Sequence, residues 1–152
     1  MQGMWALWSA PMILSVEVRN GSLAPEMKSI LLNKEVLAIS DDALGRQATQ
    51  CVHADCLHGN VLYGGGTSVW NKTLHDGSVA VGMLNVGNFG NVGKAFGNFN
   101  VSFSAEAVGL NCQAFMVRDL FKGQNIGTSH HDGGFWREVD ESSMLLLKIA
   151  CK

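Results

Sequence analysis

Five potential metal ligands fall within one short stretch, Cys51-Val52-His53-Ala54-Asp55-Cys56-Leu57-His58. Zinc takes Cys and His, but structural zinc sites bring two ligand pairs together from a longer span. Side-chain alternation in an extended chain puts Cys51, His53 and Asp55 on one side and Cys56 and His58 on the other. The favoured reading is a surface loop closed by a local Cys51–Cys56 disulfide with no metal; a zinc-binding domain is the competing one. Cys112 and Cys151 complete a set of four cysteines and stay open as free or paired. His130-His131-Asp132 has the residue types of a base with an orienting carboxylate. Adjacent residues of an extended chain diverge, however, so a polar turn is expected. Glu138, Asp140 and Glu141 read as a solvated edge before a terminal strand, and Asp41-Asp42 as a connection. Gly87-Asn88-Phe89-Gly90-Asn91-Val92-Gly93-Lys94-Ala95 has the texture of a phosphate loop, but its spacing is one residue too long. Ala95 also stands where a Ser or Thr would hold Mg²⁺. A loop between strands is expected there.

Three sequons, Asn20-Gly21-Ser22, Asn71-Lys72-Thr73 and Asn100-Val101-Ser102, make Asn20, Asn71 and Asn100 glycosylation candidates. Together with the cysteines they tilt the reading toward a secretory route. The 152 residues are 47% hydrophobic and 16% charged, with a net charge of −2. Such a composition excludes a disordered chain. It gives no basic footprint for nucleic acid and no apolar run long enough to span a membrane. No basic region precedes the apolar opening, so no signal peptide is read. Two tryptophans, Trp5 and Trp8, open the chain as if in the middle of a packed core, which suggests truncation.

The elements that must position these residues change character near residue 50. Residues 4–10 read as a helix end. Residues 12–18 are a strand covered on both faces. Pro25 suits the first position of a helix over 25–33, with Ala24 as a poor N-cap. Met27, Ile30 and Leu31 give that helix an apolar face. Beyond residue 65 the period becomes two. Strands are expected over 67–74, 79–86, 100–104, 114–120, 126–129, 134–139 and 143–150, with Asp76-Gly77 as a hairpin turn. Eighteen glycines against two prolines suit such a turn-rich β-structure. The pattern is that of an antiparallel sandwich.

Trp5-Ala6-Leu7-Trp8-Ser9-Ala10-Pro11-Met12, then Arg19-Asn20, then the run from Asn33-Lys34-Glu35-Val36 through Ala38-Ile39 to Asp42-Ala43-Leu44-Gly45-Arg46-Gln47 closely resemble the C-terminal part of the α-galactosidases of glycoside hydrolase family 27. The family pattern there runs approximately W-A-x-x-A-A-P-L, D-L-R, then N-K-(D/E)-V-I-A-I-N-Q-D-x-L-G-x-Q. Val69-Trp70, the run Asp76-Gly77-Ser78 through Val81 to Asn85, Val117-Arg118-Asp119-Leu120-Phe121 and Leu145-Leu146-Leu147-Lys148 are similar to its C-terminal β-domain. This sequence departs from the pattern at Glu17, where the family has Asp, at Val16, and at Ser40-Asp41, where the family has Asn-Gln.

The resemblance implies a mostly β fold: a C-terminal antiparallel β-sandwich domain (48–152) preceded by the last helix–strand–helix piece of a (β/α)₈ barrel (1–47). Within that piece the last barrel strand would be 12–18 and the last helix 25–33. It also implies a parent that retains configuration, with one Asp as nucleophile and a second as general acid/base on earlier barrel strands. Neither segment has a counterpart here, so no catalytic and no substrate-binding residue is assigned. The chain is expected to be inactive alone and to need no cofactor or metal. The parent would take a terminal α-galactoside, or an N-acetylgalactosaminide, in a secreted or lysosomal/vacuolar setting, with no nucleic-acid or membrane partner; a homodimer stays open. The competing class is a free-standing β-sandwich that binds carbohydrate, with Trp70 and Trp136 as candidates to stack on sugar rings.

Overall fold

The computed structural model describes residues 2–15, 23–56, 66–87, 97–112, 114–129 and 134–152. Three short helices come first: α1 (Gln2–Leu7), α2 (Pro25–Leu31) and α3 (Lys34–Ser40). Eight strands follow: β1 (Thr49–Gln50), β2 (Thr67–Thr73), β3 (Val79–Asn85), β4 (Phe99–Ser104), β5 (Phe115–Asp119), β6 (Gln124–Thr128), β7 (Gly134–Val139) and β8 (Ser143–Cys151). All pair antiparallel, in a six-stranded sheet of order β1-β2-β3-β8-β5-β6 and a two-stranded sheet β4-β7. Asp76-Gly77 forms the β2–β3 turn. Gly77 takes φ +79°, a conformation that favours glycine.

Alternation assigns each strand's side chains to opposite faces of the large sheet. Val69, Val79, Val81, Val117, Leu147 and Ile149 face the small sheet, where they meet Val101, Phe103 and Phe135. Phe103 bridges the two layers, 6.0 Å from the Phe115 ring and 5.7 Å from the Phe135 ring. Ala80 and Leu146 point the other way and pack with Met4, Leu7, Val36 and Ile39 of the helices. β3 is therefore buried on both faces. The architecture has three layers: helices, large sheet, small sheet.

Gly82 is the point of closest approach between helices and sheet. A Cβ there would lie 2.5 Å from Leu7 Cδ1 and 2.6 Å from Met144 Cε. Two disulfides close the β-domain, Cys51–Cys56 and Cys112–Cys151. The second joins the chain before β5 to the end of β8.

The helical segment differs from the sequence reading in two respects. Residues 12–15, the start of the strand expected over 12–18, carry no strand. A parallel barrel strand takes its ladder from two neighbours, and no other barrel strand is among the described residues; 16–18 lie outside them. The helix expected over 25–33 ends at Leu31, and Asn33 instead begins α3, whose apolar run Val36-Leu37-Ala38-Ile39 packs on the sheet. α2 starts at Pro25 after an Ala24 that makes no side-chain cap, and none of its residues is buried.

Candidate functional site

The densest polar chemistry lies on the seam between helices and large sheet. Asn33 sits at the N-terminus of α3. Its Oδ1 accepts from the Glu35 and Val36 backbone N–H groups at 3.0 and 3.1 Å, and its Nδ2 donates to the Leu120 carbonyl at 2.9 Å. One side chain thus caps the helix and binds it to the turn after β5. One residue into α3, Glu35 meets Arg118 of β5 in a two-pronged ion pair with contacts of 2.5 and 2.7 Å. The guanidinium holds the Glu35 carboxyl below the usual carboxylate range, chiefly through these hydrogen bonds.

Lys72 of β2 is 1% exposed and points to the helix side of the sheet. Its ammonium donates to the Ala6 carbonyl at 3.4 Å and to Ser9 Oγ at 2.7 Å, and makes a short bond to the Ile39 carbonyl. Ala6 and Ile39 lie in the last turns of α1 and α3, where unpaired carbonyls concentrate partial negative charge. One cation therefore clasps two helix ends. Burial pushes the Lys72 pKa down, and the charges of Asp42 and Asp41 oppose the shift. Ser9 sits in the left-handed region (φ 50°), with its hydroxyl within reach of the Ser40 and Arg46 carbonyls at 3.3 and 3.2 Å.

Beside this clasp, α3 and the β2–β3 turn border an open pocket of about 300 Å³ lined by Glu35, Asp42, His75, Asp76 and Lys148 above an apolar floor that includes Leu120. Asp42 accepts from the His75 backbone N–H at 2.9 Å. Asp76 takes the Lys148 ammonium at 2.7 Å and a short bond from the Ser78 hydroxyl. Lys148 first, then Ser78, lower the Asp76 pKa to about 2. A glycosidase general acid needs a carboxyl whose pKa is raised. Glu35 and Asp76 are both held ionised by a cation, so Glu35 fastens the seam, Asp76 ties the β2–β3 turn to β8, and neither supplies that acid.

The residues singled out from sequence are placed as follows. Cys51 and Cys56 are bonded to each other, so neither sulfur is a thiolate ligand. His53 lies 3.6 Å from Asp55, whose other contact is the Ser104 hydroxyl at 2.8 Å; His58 lies outside the described residues. Among the described residues no group of three His, Cys, Asp or Glu is arranged to hold a metal. His130-His131-Asp132, Asn20 and residues 88–96 also lie outside them. Glu138 accepts from Asn98 at 2.7 Å. Asp140 closes the β7–β8 turn through its carbonyl. Asp41 ends α3, and Asp42 docks it on the hairpin. Trp70 packs edge-on against Trp8, with centroids 5.5 Å apart, whereas Trp136 is 48% exposed. Sequence reasoning missed Asn33 as a cap, Lys72 as a clasp and the Glu35–Arg118 pair. The available signals were Asn33 three residues before an apolar helical run, and a lysine sharing the strand face of Trp70 and Leu74.

Comparison with known proteins fits this architecture. Residues 64–149 match the family model described as the alpha galactosidase C-terminal beta sandwich domain. Human alpha-galactosidase A is 25% identical over 146 residues, covering 96% of this chain and 31% of its own length. Alpha-galactosidase 3 of Arabidopsis thaliana is 27% identical, covering 90% of this chain and 27% of its own. This chain thus spans about a third or less of these relatives. Among solved structures, alpha-galactosidase I of Mortierella vinacea superposes with a TM-score of 0.76 at 21% identity, over 99% of this chain and 34% of that one. A family 27 β-L-arabinopyranosidase of Geobacillus stearothermophilus gives 0.75 at 20%, over 99% and 29%. At those identities the structures speak for the fold. The family model, covering more than half of the sequence and matching a sandwich that the strands do form, shows that the chain belongs to the α-galactosidase family, glycoside hydrolase family 27, and carries its C-terminal β-domain.

Proposed function

We propose that this chain is the C-terminal part of an α-galactosidase-like retaining hydrolase, the parent of which cleaves terminal α-linked galactose or N-acetylgalactosamine from carbohydrates on a secretory route. Residues 1–47 are the end of the catalytic barrel and residues 48–152 the β-domain. The observation that carries the reading is the match to human alpha-galactosidase A across 96% of this chain but 31% of the relative. Uncovered apolar side chains support it. Ile13, Leu14, Met27, Ile30 and Leu32 are 44–78% exposed, all in the part that resembles the end of a barrel. Five large apolar side chains left outward in so short a segment are what a covering neighbour would bury.

The chain alone performs no hydrolysis in this reading, because the family's nucleophile and acid/base segments have no counterpart in the sequence and the carboxylates of Glu35 and Asp76 are ion-paired. The test is turnover of a chromogenic α-galactoside by the purified chain, with none expected; clear turnover abolished by a seam variant would overturn it. Sequencing upstream of the Met1 codon tests the assignment of the parent. An open frame encoding a barrel with two aspartates at strand ends is expected, and a frame encoding an unrelated domain would refute the assignment.

A further inference from the structure

Of the three sequons, the structure singles out one by its surroundings. Asn71 lies in β2 between two paired strands, half-buried, and its amide donates to the Val108 carbonyl at 3.3 Å. A glycan there would have to fit at a half-buried position in a strand paired on both sides. Asn20 lies outside the described residues. Asn100 is exposed on β4, and alternation puts Asn100 and Ser102 on the outer face of the small sheet while Val101 and Phe103 point inward. Asn100 pairs with Glu138 and Ser102 with Trp136, so Trp136 is the diagonal neighbour of Asn100. Diagonal positions lie about 7–8 Å apart, within reach of a tryptophan ring. Glu138 is drawn the other way along the sheet, toward Asn98 at 2.7 Å. The outer face thus presents a sequon asparagine, its Ser at the right offset, and a 48%-exposed indole beside them.

We propose that Asn100 is N-glycosylated and that its first N-acetylglucosamine lies against the exposed part of the Trp136 ring. In the transfer, the Asn100 side-chain nitrogen attacks the anomeric carbon of a polyprenyl-pyrophosphate-linked oligosaccharide. An N–C bond forms, the C–O bond to pyrophosphate breaks, the amide gives up one proton, and polyprenyl pyrophosphate leaves. Sugar rings carry C–H groups on one face, and these suit the electron-rich face of indole. The inference rests on the secretory part of the reading above and is independent of the hydrolase part.

The test uses the full chain translated behind a cleavable leader, first with microsomes, where modification precedes folding, and then in a eukaryotic secretory host. Glycopeptide mapping should find Asn100 occupied, and N100Q and S102A should each remove that glycan. A cycle of Tm values then reads the contact. Enzymatic removal of the glycan should lower Tm by a few degrees in the wild type and have at most half that effect in W136A. An unmodified Asn100 in the microsome reaction would overturn the proposal, and so would equal Tm shifts in wild type and W136A. Because the leader forces entry, the outcome is separable from whether the parent itself is secreted or hydrolytic.

Discussion

Replacing Asn33 with alanine removes two functions of one side chain. The first is the cap on α3, with backbone N–H groups at 3.0 and 3.1 Å from Oδ1. Losing an Asn cap costs about 1 kcal/mol, within a range of about 0.5–2. The second is the bond from Nδ2 to the Leu120 carbonyl at 2.9 Å, a part-buried contact contributing about 1 kcal/mol. N33A should therefore lose about 2 kcal/mol, and for a domain of this size each kcal/mol lowers Tm by roughly 2–4 °C. The expected fall is about 4–8 °C. N33D separates the two functions. It keeps the cap and adds charge at a favourable helix end, but removes the donor to Leu120, so it should lie between wild type and N33A. The assay is thermal and urea unfolding followed by circular dichroism, with hydrogen exchange to locate the loss. Exchange should rise in α3 and stay slow in β3. If N33A falls within about 0.5 kcal/mol of wild type, the size of an ordinary surface change, or if N33D and N33A lose the same amount, the assignment of cap and tie is wrong.

Asp76 supplies a pH prediction with a defined sign. Its pKa is about 2 in the fold, below its ordinary 3.8, so the folded state favours the ionised form. The stabilisation is complete above about pH 4 and is lost as pH falls through about 2. Urea midpoints at pH 5 and 2.5 should differ less in D76N than in wild type; equal differences would count against the Lys148 pair. Gly82→Ala should lose about 1–2 kcal/mol in chemical denaturation, because Leu7 and Met144 must shift by more than a few tenths of an ångström. An unchanged midpoint would show that the helix–sheet contact is looser than described. The two disulfides close loops of very different length, with sequence separations of 5 and 39. The chain-entropy relation gives about 2 kcal/mol for the short loop and about 4 for the long one. The double variant C112A/C151A should thus unfold well below C51A/C56A, and the reverse order would place the stabilisation in local strain or packing.

What was legible in the sequence was local. The β2–β3 hairpin follows from Asp76-Gly77 between two period-two runs, and β4 follows from the alternation of Val101 and Phe103 with polar residues. Pro25 fixes the start of α2 because its ring suits the first helical position. Asn33 was misread because an Asn after a helix and an Asn before one look alike; only the distance to the next apolar run tells them apart. The sheet order was not legible. The last strand, β8, inserts between β3 and β5, and no turn chemistry announces a pairing between distant segments. The seam was hidden for the same reason. Lys72 finds Ala6 across 66 residues, and Arg118 finds Glu35 across 83.

The seam also bears on which class of function the chain can serve. A division at residues 47/48 follows a change in sequence texture, but the packing crosses it. Met4, Leu7, Val36 and Ile39 share one buried cluster with Leu74, Ala80, Leu120 and Leu146. Lys72 loses its carbonyl acceptors, and Arg118 its carboxylate, if the helices leave. The Lys72 ammonium would then face water in place of the helix-end carbonyls, and the apolar side chains beside it would be uncovered with it. A sheet that served as a free-standing two-layer module would carry polar side chains on its second face, as antiparallel sheets with one solvated face do. This sheet instead presents Ala80, Gly82, Leu146 and a cation whose partners are helix ends. The β-domain is therefore built to be docked, and the helices that dock it leave the apolar residues of α2 turned outward. Both features fit a domain fastened to a larger neighbour better than one that binds sugar by itself.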